Sequence, residues 1–213
     1  MASSAKLIID IQSYWHPGTG QGLGSHLDAV THRGADKLPA LPGKTVKGLL
    51  RDAVNRWEKF GGYADKAYAT VTSKPSLAER LFGPPPEIEE SEQKFEEVHQ
   101  QWTGLLRFSD ARLNDSDRQY LKGHKELMAG LYRRHFSTAI EHESGTALVK
   151  RLRGIEIIVP LTLYADIECL NGNDELAGHW TEILRDALPL VRAVGAHRSR
   201  GLGRAVLALQ GAK

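Results

Sequence analysis

The spacing of the hydrophobic residues changes along this chain, and that change restricts the possible folds more than any other feature. Apolar residues alternate with polar ones within Lys6–Tyr14, which is typical of a half-buried strand. The glycine-rich stretch Gly18–Gly24 then predicts a loop with unusual backbone angles. Within Gly43–Phe60 the apolar residues recur every three or four positions, so we expect a long amphipathic helix after the first strand.

The later segments continue this alternation of strand and helix. A short helix is predicted, then two strands, a second long helix and a last strand, over Ser76–Phe82, Leu105–Leu113, Ile155–Cys169, Leu176–Val191 and Ala205–Leu209. Leaving the short helix aside, the order is strand, helix, strand, strand, helix, strand. The predicted fold class is therefore α+β, with a ferredoxin-like or RRM-like core (βαββαβ).

Two segments do not fit a compact core. Residues 114–153 are polar and have no regular period, which predicts a long thumb-like insertion between the central strands. Residues 84–102 begin with prolines and continue with many glutamates, which predicts an exposed acidic linker. Because 213 residues suit one domain of ordinary size, we expect a single domain over 1–213 that carries both excursions.

The apolar runs are short, and the longest reach about the length of Ile155–Leu163. A membrane helix needs roughly 20 apolar residues, and the first residues lack the apolar core of a signal peptide. We therefore expect a cytoplasmic protein with no membrane contact. The single cysteine, Cys169, excludes an internal disulfide and a multi-cysteine zinc site, and is interpreted as part of the core.

The net charge of +2 hides a strong segregation of charge. Lys44–Lys59 holds five basic and two acidic residues, and Arg192–Arg204 holds four basic residues and no acidic one. Glu87–Glu97 balances them with six glutamates and one lysine. If the two basic segments meet in space they form a surface for a polyanion such as a nucleic acid, although each alone also fits a solvated face.

The start of the first helix has a distinctive sequence, LPALPGKTVKGLLR, over Leu38–Arg51. Its prolines hold the incoming chain extended, and its glycine frees the turn into the helix. Backbone N–H groups at a helix start favour anions, and two lysines lie close to them. We therefore predict that Lys44, Lys47 and Arg51 bind phosphate groups.

A second distinctive segment is GAHRSRGLGR, over Gly195–Arg204. Its glycines let the main chain approach phosphates closely, and its arginines add charge and planar donors. The residues predicted to bind RNA here are Gly195, His197, Arg198, Arg200, Gly201, Gly203 and Arg204. The alternative is a tight turn into the last strand with its arginines in water.

Together with three further segments, these two motifs resemble the repeat-associated mysterious protein (RAMP) superfamily of CRISPR systems. Leu81–Gly83 resembles the end of its short helix, Gly104–Leu113 its second strand and Arg134–Glu156 its protruding thumb hairpin. Glu87–Trp102 has no counterpart in that pattern. Within that superfamily, the resemblance of the thumb segment indicates the backbone subunit of type III effector complexes.

The resemblance implies a subunit that binds guide RNA (crRNA) along a filament and meets complementary target RNA. Its other partners would be further copies of itself and other CRISPR effector subunits. Within the thumb-like insertion, we expect the basic residues Arg133 and Arg134 to reach RNA or a neighbouring copy.

The resemblance also implies a catalytic aspartate in the loop before the proline-glycine turn. Asp28 lies fourteen residues before Pro42 and is our candidate, in preference to Asp36, which corresponds to the position just ahead of the turn. A carboxylate is anionic at neutral pH, so Asp28 can hold a divalent metal ion such as Mg²⁺ against the scissile phosphate, or orient the 2′-hydroxyl for attack. The neighbours that can assist it are His26, His32 and Arg33.

Three functions remain open from the sequence. The first is a metal-dependent endoribonuclease that cuts target RNA within a multisubunit complex through Asp28. The second is an RNA-binding scaffold subunit of the same complex that carries out no chemistry. The third is a guide-processing endoribonuclease of the same superfamily, which would use a histidine as general acid or base and commonly has two fused core halves.

Overall fold

The computed structural model describes residues 3–22, 27–66, 68, 75–84, 103–148 and 152–211. Its strands form two antiparallel sheets. In chain order they are β1 (Ser4–Ile11), β2 (Ala40–Leu41), β3 (Leu106–Phe108), β4 (Ala111–Arg112), β5 (Tyr132–Ser137), β6 (Arg153–Ile158), β7 (Leu161–Cys169) and β8 (Ala205–Gln210). Strands β5 and β6 pair as a separate hairpin, whereas the large sheet has the order β2-β4-β7-β1-β8, with β3 also paired to β7.

The helices complete the architecture. They are α1 (Gly43–Lys59), α2 (Leu77–Phe82), α3 (Asp115–Lys122), α4 (Lys125–Gly130) and α5 (Trp180–Ala187), with short 3₁₀ turns at Glu175–Gly178, Leu188–Leu190 and Arg198–Arg200. None of the helices in the described ranges is long and apolar enough to span a membrane.

The core lies on one face of the large sheet. Along β1 the side chains of Leu7, Ile9 and Ile11 are buried, while the residues between them face outward. The apolar sides of α1 and α5 join the same core. Burying each large aliphatic side chain contributes roughly 1.5–3 kcal/mol, so this face holds the sheet and the helices together. The predicted β1, α1 and β8 are confirmed to within a few residues.

One predicted strand, Leu105–Leu113, is wrong as a single element because it divides into β3 and β4. At the break, Ser109 still bonds to β7, since its N–H donates to Asp166 O and its hydroxyl accepts from Asp166 N. The next residue, Asp110, turns away toward the first residue of α1. The strand is therefore interrupted at Asp110, whose side chain binds the start of α1.

The predicted strand Ile155–Cys169 is also wrong as a single element. Its first part belongs to β6 and pairs with β5, and its second part is β7, which pairs with β1. Pro160 lies between them, and because proline has no N–H it cannot continue a ladder. Within this largely apolar segment, the chain thus passes from the β5–β6 hairpin into the large sheet.

The segment predicted as an irregular insertion, residues 114–153, contains regular structure. It holds α3, α4 and β5, and Asn114 caps α3 by accepting a hydrogen bond from Asp117 N–H. Its last residue, Arg153, begins β6, so the segment forms half of a hairpin whose β5 side chains are largely exposed. Of the predicted acidic linker 84–102, residues 85–102 lie outside the described part of the chain.

Candidate nucleic-acid interface

The loop Gly195–Arg204 is fixed against the chain that follows β1. Gly203 N–H donates to Tyr14 O at 2.7 Å, and Ala196 N–H donates to His16 O at 2.8 Å. Gly203 has a φ of +73°, and a Cβ there would lie 1.9 Å from Val194 O. No other residue fits that position, so glycine is required for the loop to close against Val194 and Tyr14.

The arginines of this loop point into solvent. Arg198 and Arg200 belong to a single 3₁₀ turn between His197 and Gly201, which both have left-handed backbone angles. Arg204 follows at the start of β8 and is also exposed. None of the described carboxylates lies within 4.0 Å of the three guanidinium groups, which are therefore available to an external anion.

A histidine pair joins the loop to the hairpin. The ring centroids of His197 and His16 are 5.9 Å apart, and the Nδ1–H of the buried His16 donates to Glu156 O at 2.6 Å. Burial lowers the pKa of His197, and the nearby His16 and Arg200 lower it further. These effects favour the neutral form of His197.

Glu156 of β6 connects the hairpin to the loop that carries the predicted catalytic residues. Only 9% of Glu156 is exposed, and its carboxylate accepts hydrogen bonds from the N–H of Thr31 at 3.1 Å and from the Thr31 hydroxyl. It also pairs with Arg33 at 2.6 Å, whose guanidinium lies 3.8 Å from the ring centroid of Tyr132 in β5. Residues 31–33 are thus clamped onto the base of the hairpin.

This clamp predicts a specific effect on stability. We expect Glu156→Ala to lower the free energy of unfolding by about 2 kcal/mol, because Arg33 and the Thr31 N–H lose their buried partner. Glu168→Ala is the matched control, since it breaks the exposed ion pair with Arg107 and should cost about 0.5 kcal/mol or less. Urea unfolding of both variants measures the difference, and equal losses would show that the clamp adds nothing.

Asp28 lies at the base of the hairpin, beside the first residues of β6. Its N–H donates to Gly154 O, and one of its carboxylate oxygens accepts from Gly154 N–H, both at 2.8 Å. The next residue, Ala29, pairs in parallel with Ile155. The side chain is exposed, and its second oxygen has no donor among the described residues. Asp28 is therefore held in position through one carboxylate oxygen, and no described residue binds the other.

The other carboxylate of this loop has a different environment. Asp36 is 12% exposed at its side chain and pairs with Arg118 of α3 at 2.9 Å. Burial alone would raise the pKa of Asp36, but the hydrogen bonds from Arg118 and from Leu38 N–H outweigh it and hold the pKa below its ordinary value. Asp36 is thus engaged in anchoring α3.

The residues expected to assist Asp28 differ in their surroundings. His26 lies outside the described residues. Arg33 is bound to Glu156, so it positions the loop. His32 is half-buried, and its backbone N–H donates to the backbone carbonyl of Pro17 at 2.6 Å.

The anion predicted at the start of α1 is supplied by the chain itself. Gly43 N–H donates to Asp110 Oδ1 at 2.9 Å, and this bond, together with Arg112, holds the pKa of Asp110 below its ordinary value. Arg51 is also engaged, since it donates to the carbonyls of Phe82 and Gly83 at the end of α2, both at 2.8 Å.

The lysines of α1 remain accessible. Lys44 is exposed and Lys47 is half-buried, and burial and Arg51 lower the pKa of Lys47. Both line an open groove of about 440 Å³ that Arg107 also lines and that no described acidic residue lines. Arg133 and Arg134 lie on the hairpin, exposed on β5. The predicted basic residues thus lie on the loop, the α1 groove and the hairpin. The two basic segments of the sequence meet at a second pocket, which Arg56 of α1 lines together with Arg192 and Arg198.

The sequence did not indicate a role for Glu156 or His16. The one available signal for Glu156 was its position as a lone charge within the apolar run Gly154–Ile158. Its partners lie more than 120 residues away in the sequence, so spacing could not reveal them.

The donor atoms around Asp28 determine whether the site can hold a divalent metal ion. The described residues contain no group of three or more His, Cys, Asp or Glu side chains that could hold a metal ion. Asp28 offers a single available oxygen, and Mg²⁺ is commonly bound by one or two carboxylates together with substrate phosphates and water. Asp28 would therefore hold Mg²⁺ only together with ligands from RNA and water.

Comparison with known proteins identifies the family. The family model "RAMP superfamily" matches residues 8–206. A chain of the "Cryo-EM structure of the Type III-B Cmr-beta bound to cognate target RNA" is 10% identical, with a TM-score of 0.66, 97% of this chain covered and 96% of the other. A chain of the "Type III-B Cmr-beta Cryo-EM structure of the Apo state" is 13% identical, with a TM-score of 0.64 and the same coverage.

No curated protein matches this chain significantly in sequence. The structural neighbours share its fold, and the family model covers nearly all of its length. The resemblance seen in the sequence motifs is confirmed, and the chain belongs to the RAMP superfamily.

Proposed function

We propose that this chain is an RNA-binding subunit of a type III CRISPR effector complex that also cuts target RNA. The observation that carries this proposal is the loop Gly195–Arg204, whose arginines have no carboxylate partner among the described residues. Hydrogen bonds through His16 and Glu156 connect this loop to the base of the β5–β6 hairpin, where Asp28 lies. Membership of the superfamily and the Cmr-beta neighbours support it.

The proposal includes a finer description of the fold. With β2 left aside and β3 and β4 counted as one interrupted strand, the large sheet with α1 and α5 has the chain order strand, helix, strand, strand, helix, strand. This order supports a ferredoxin-like core. The hairpin and the helices α3 and α4 are then the thumb-like insertion between the central strands.

RNA binding would rest on the phosphate backbone. Arg198, Arg200 and Arg204 supply planar donors for phosphates, and the accessible lysines of the α1 groove supply further charge. Contacts of this kind are independent of sequence, as a guide-binding subunit requires. The partners we propose are guide RNA, complementary target RNA, other copies of this chain and other effector subunits.

Cleavage would depend on Asp28. The oxygen of Asp28 that no described residue binds can accept the proton of the target 2′-hydroxyl, which attacks the adjacent phosphorus in line. A 2′,3′-cyclic phosphate forms as the P–O5′ bond breaks, and the leaving 5′-oxygen takes a proton from water. Asp28 and the RNA phosphates would hold Mg²⁺, which would supply positive charge to the phosphoryl group. The bonds to Gly154 keep the carboxylate in a fixed place at the base of the hairpin.

The RNA-binding part of the proposal is tested at the α1 groove. We expect Lys44→Ala with Lys47→Ala to weaken binding of single-stranded RNA about tenfold and to make its salt dependence shallower, since each lost phosphate contact removes about 0.7 from the slope. Lys122→Ala with Lys125→Ala removes the same charge from exposed positions on α3 and α4 and is the control. Equal effects of the two double variants, measured by anisotropy at several salt concentrations, would exclude the groove from the RNA path.

A further inference from the structure

The outer edge of β8 has unpaired backbone groups. This strand is the last in the order of the large sheet. Ala205 N–H donates to Arg192 O at 3.0 Å, on the side away from β1. Because backbone groups alternate in direction along an antiparallel strand, the N–H and C=O groups of Leu207 and Leu209 point the same way. No backbone hydrogen bond to these groups is found among the described residues outside the ladder with β1.

This edge opens onto a groove of about 690 Å³ between β8 and the end of α5. Its apolar lining includes Leu188, Val191, Leu207 and Leu209, and Val206 is 56% exposed. An exposed, apolar strand edge readily pairs with another extended chain. The groove therefore has both an unpaired backbone ladder and an apolar wall to cover an added strand.

The charge around the groove is entirely positive. Arg185, Arg192 and Arg204 line it, and all three are exposed. No acidic residue of the described chain lines the groove, and no described carboxylate lies within 4.0 Å of these arginines. A ligand that fits the groove is therefore extended, partly apolar and acidic.

We propose that the β8 groove binds an extended acidic peptide segment of a partner protein, which adds to the sheet as a further strand. Main-chain hydrogen bonds to Leu207 and Leu209 would provide affinity, and acidic side chains opposite the arginines would provide selectivity. RNA also carries negative charge, but its sugar-phosphate backbone cannot continue the alternating N–H and C=O ladder. The apolar wall and the open strand edge therefore favour a peptide.

The test uses a fluorescent octapeptide that alternates Glu and Val, with binding followed by anisotropy. The control is a second octapeptide that alternates Lys and Val. We expect the Glu and Val peptide to bind saturably and at least about tenfold more tightly than this control, since the lysines would face the arginines of the groove and like charges disfavour association. N-methylation of alternate amides should abolish binding when it removes the donors that face β8. Equal binding of all three peptides would overturn the proposal.

Two variants locate the site. Leu207→Pro removes an outward N–H without affecting a bond to β1, and Arg185→Glu reverses one charge at an exposed position. Each should weaken the Glu and Val peptide at least about tenfold. Arg185→Glu keeps the test decisive if Leu207→Pro does not fold.

RNA binding by Arg185→Glu separates this surface from the RNA interface. Arg185 shares the groove with Arg204 but is not among the residues that we propose to contact RNA, and we expect the variant to bind single-stranded RNA as the wild type does. A loss of RNA affinity as large as the loss of peptide affinity would assign the groove to RNA and contradict the proposal. Unchanged RNA binding with lost peptide binding would support it, whether or not the protein cuts RNA.

Discussion

Replacing Asp28 by alanine is expected to abolish target-RNA cleavage in the assembled complex, with a loss of at least about 100-fold, the usual size of a general acid–base contribution. Guide binding should be unchanged or slightly stronger. The reason is that affinity comes from many cationic contacts, whereas cleavage needs one anionic group beside one phosphate. Removing a carboxylate near a polyanion relieves repulsion and takes away no attractive contact.

The sharper variant is Asp28→Asn. Its side-chain carbonyl can still accept the hydrogen bond from Gly154 N–H that anchors Asp28, but the negative charge is lost. We expect Asp28→Asn to retain the stability of the wild type and Asp28→Ala to lose about 1 kcal/mol, because alanine cannot accept the hydrogen bond from Gly154 N–H. Neither variant should cut labelled complementary RNA with Mg²⁺ present. Asp36→Asn is not a neutral control, because Asp36 is paired with Arg118 and should mainly affect stability.

Two results would contradict the assignment of Asp28. Cleavage by Asp28→Asn at the wild-type rate would show that the charge is not needed, and His32 would then be the next residue to test. If the wild-type complex does not cut target RNA under any condition with divalent metal, the subunit is a scaffold. Loss of guide binding by Asp28→Ala would instead indicate that the bonds to Gly154 are needed for folding.

The second large effect is expected at the glycine-rich loop. Replacing Arg198, Arg200 and Arg204 together by alanine should weaken single-stranded RNA binding at least about 100-fold at low salt, since each charge-assisted hydrogen bond to phosphate contributes about 1.5–3 kcal/mol and part of that is screened. The three guanidinium groups have no described carboxylate partner, so their removal should leave the fold intact.

The matched control for this triple variant removes the same charge elsewhere. Lys59, Lys122 and Lys125 are exposed and lie on α1, α3 and α4, away from the loop in sequence. Their replacement by alanine should change RNA affinity only through the weaker general field of the protein. If the two triple variants bind RNA equally, the loop arginines are solvated and the loop is only a turn into β8.

The sequence predicted the elements that depend on local periodicity. β1 shows strict alternation, α1 keeps a helical period over its whole length, and Ser76 caps α2 through a capping box with Glu79. The division between β6 and β7 was not predicted, because a continuous apolar run carries no sign of a change from one sheet to another. Pro160 was the only local indication.

The candidate site was predictable only where its residues are contiguous in the sequence. The glycines and arginines of Gly195–Arg204 are contiguous, so their chemistry could be read directly. The partners of Arg51, Gly43 and Glu156 lie 31 to 140 residues away, and no local pattern encodes such contacts. Sequence reasoning therefore placed an external anion at the start of α1, where the fold places Asp110.

The central claim, that this chain binds RNA through its phosphates, is tested most directly by the salt dependence of wild-type affinity. We predict that log K for single-stranded RNA falls linearly with log salt concentration, by about 0.7 for each phosphate contact, and that two RNAs of equal length and different sequence give the same line. Affinity that does not change between low and physiological salt, or that depends on the RNA sequence, would contradict the account.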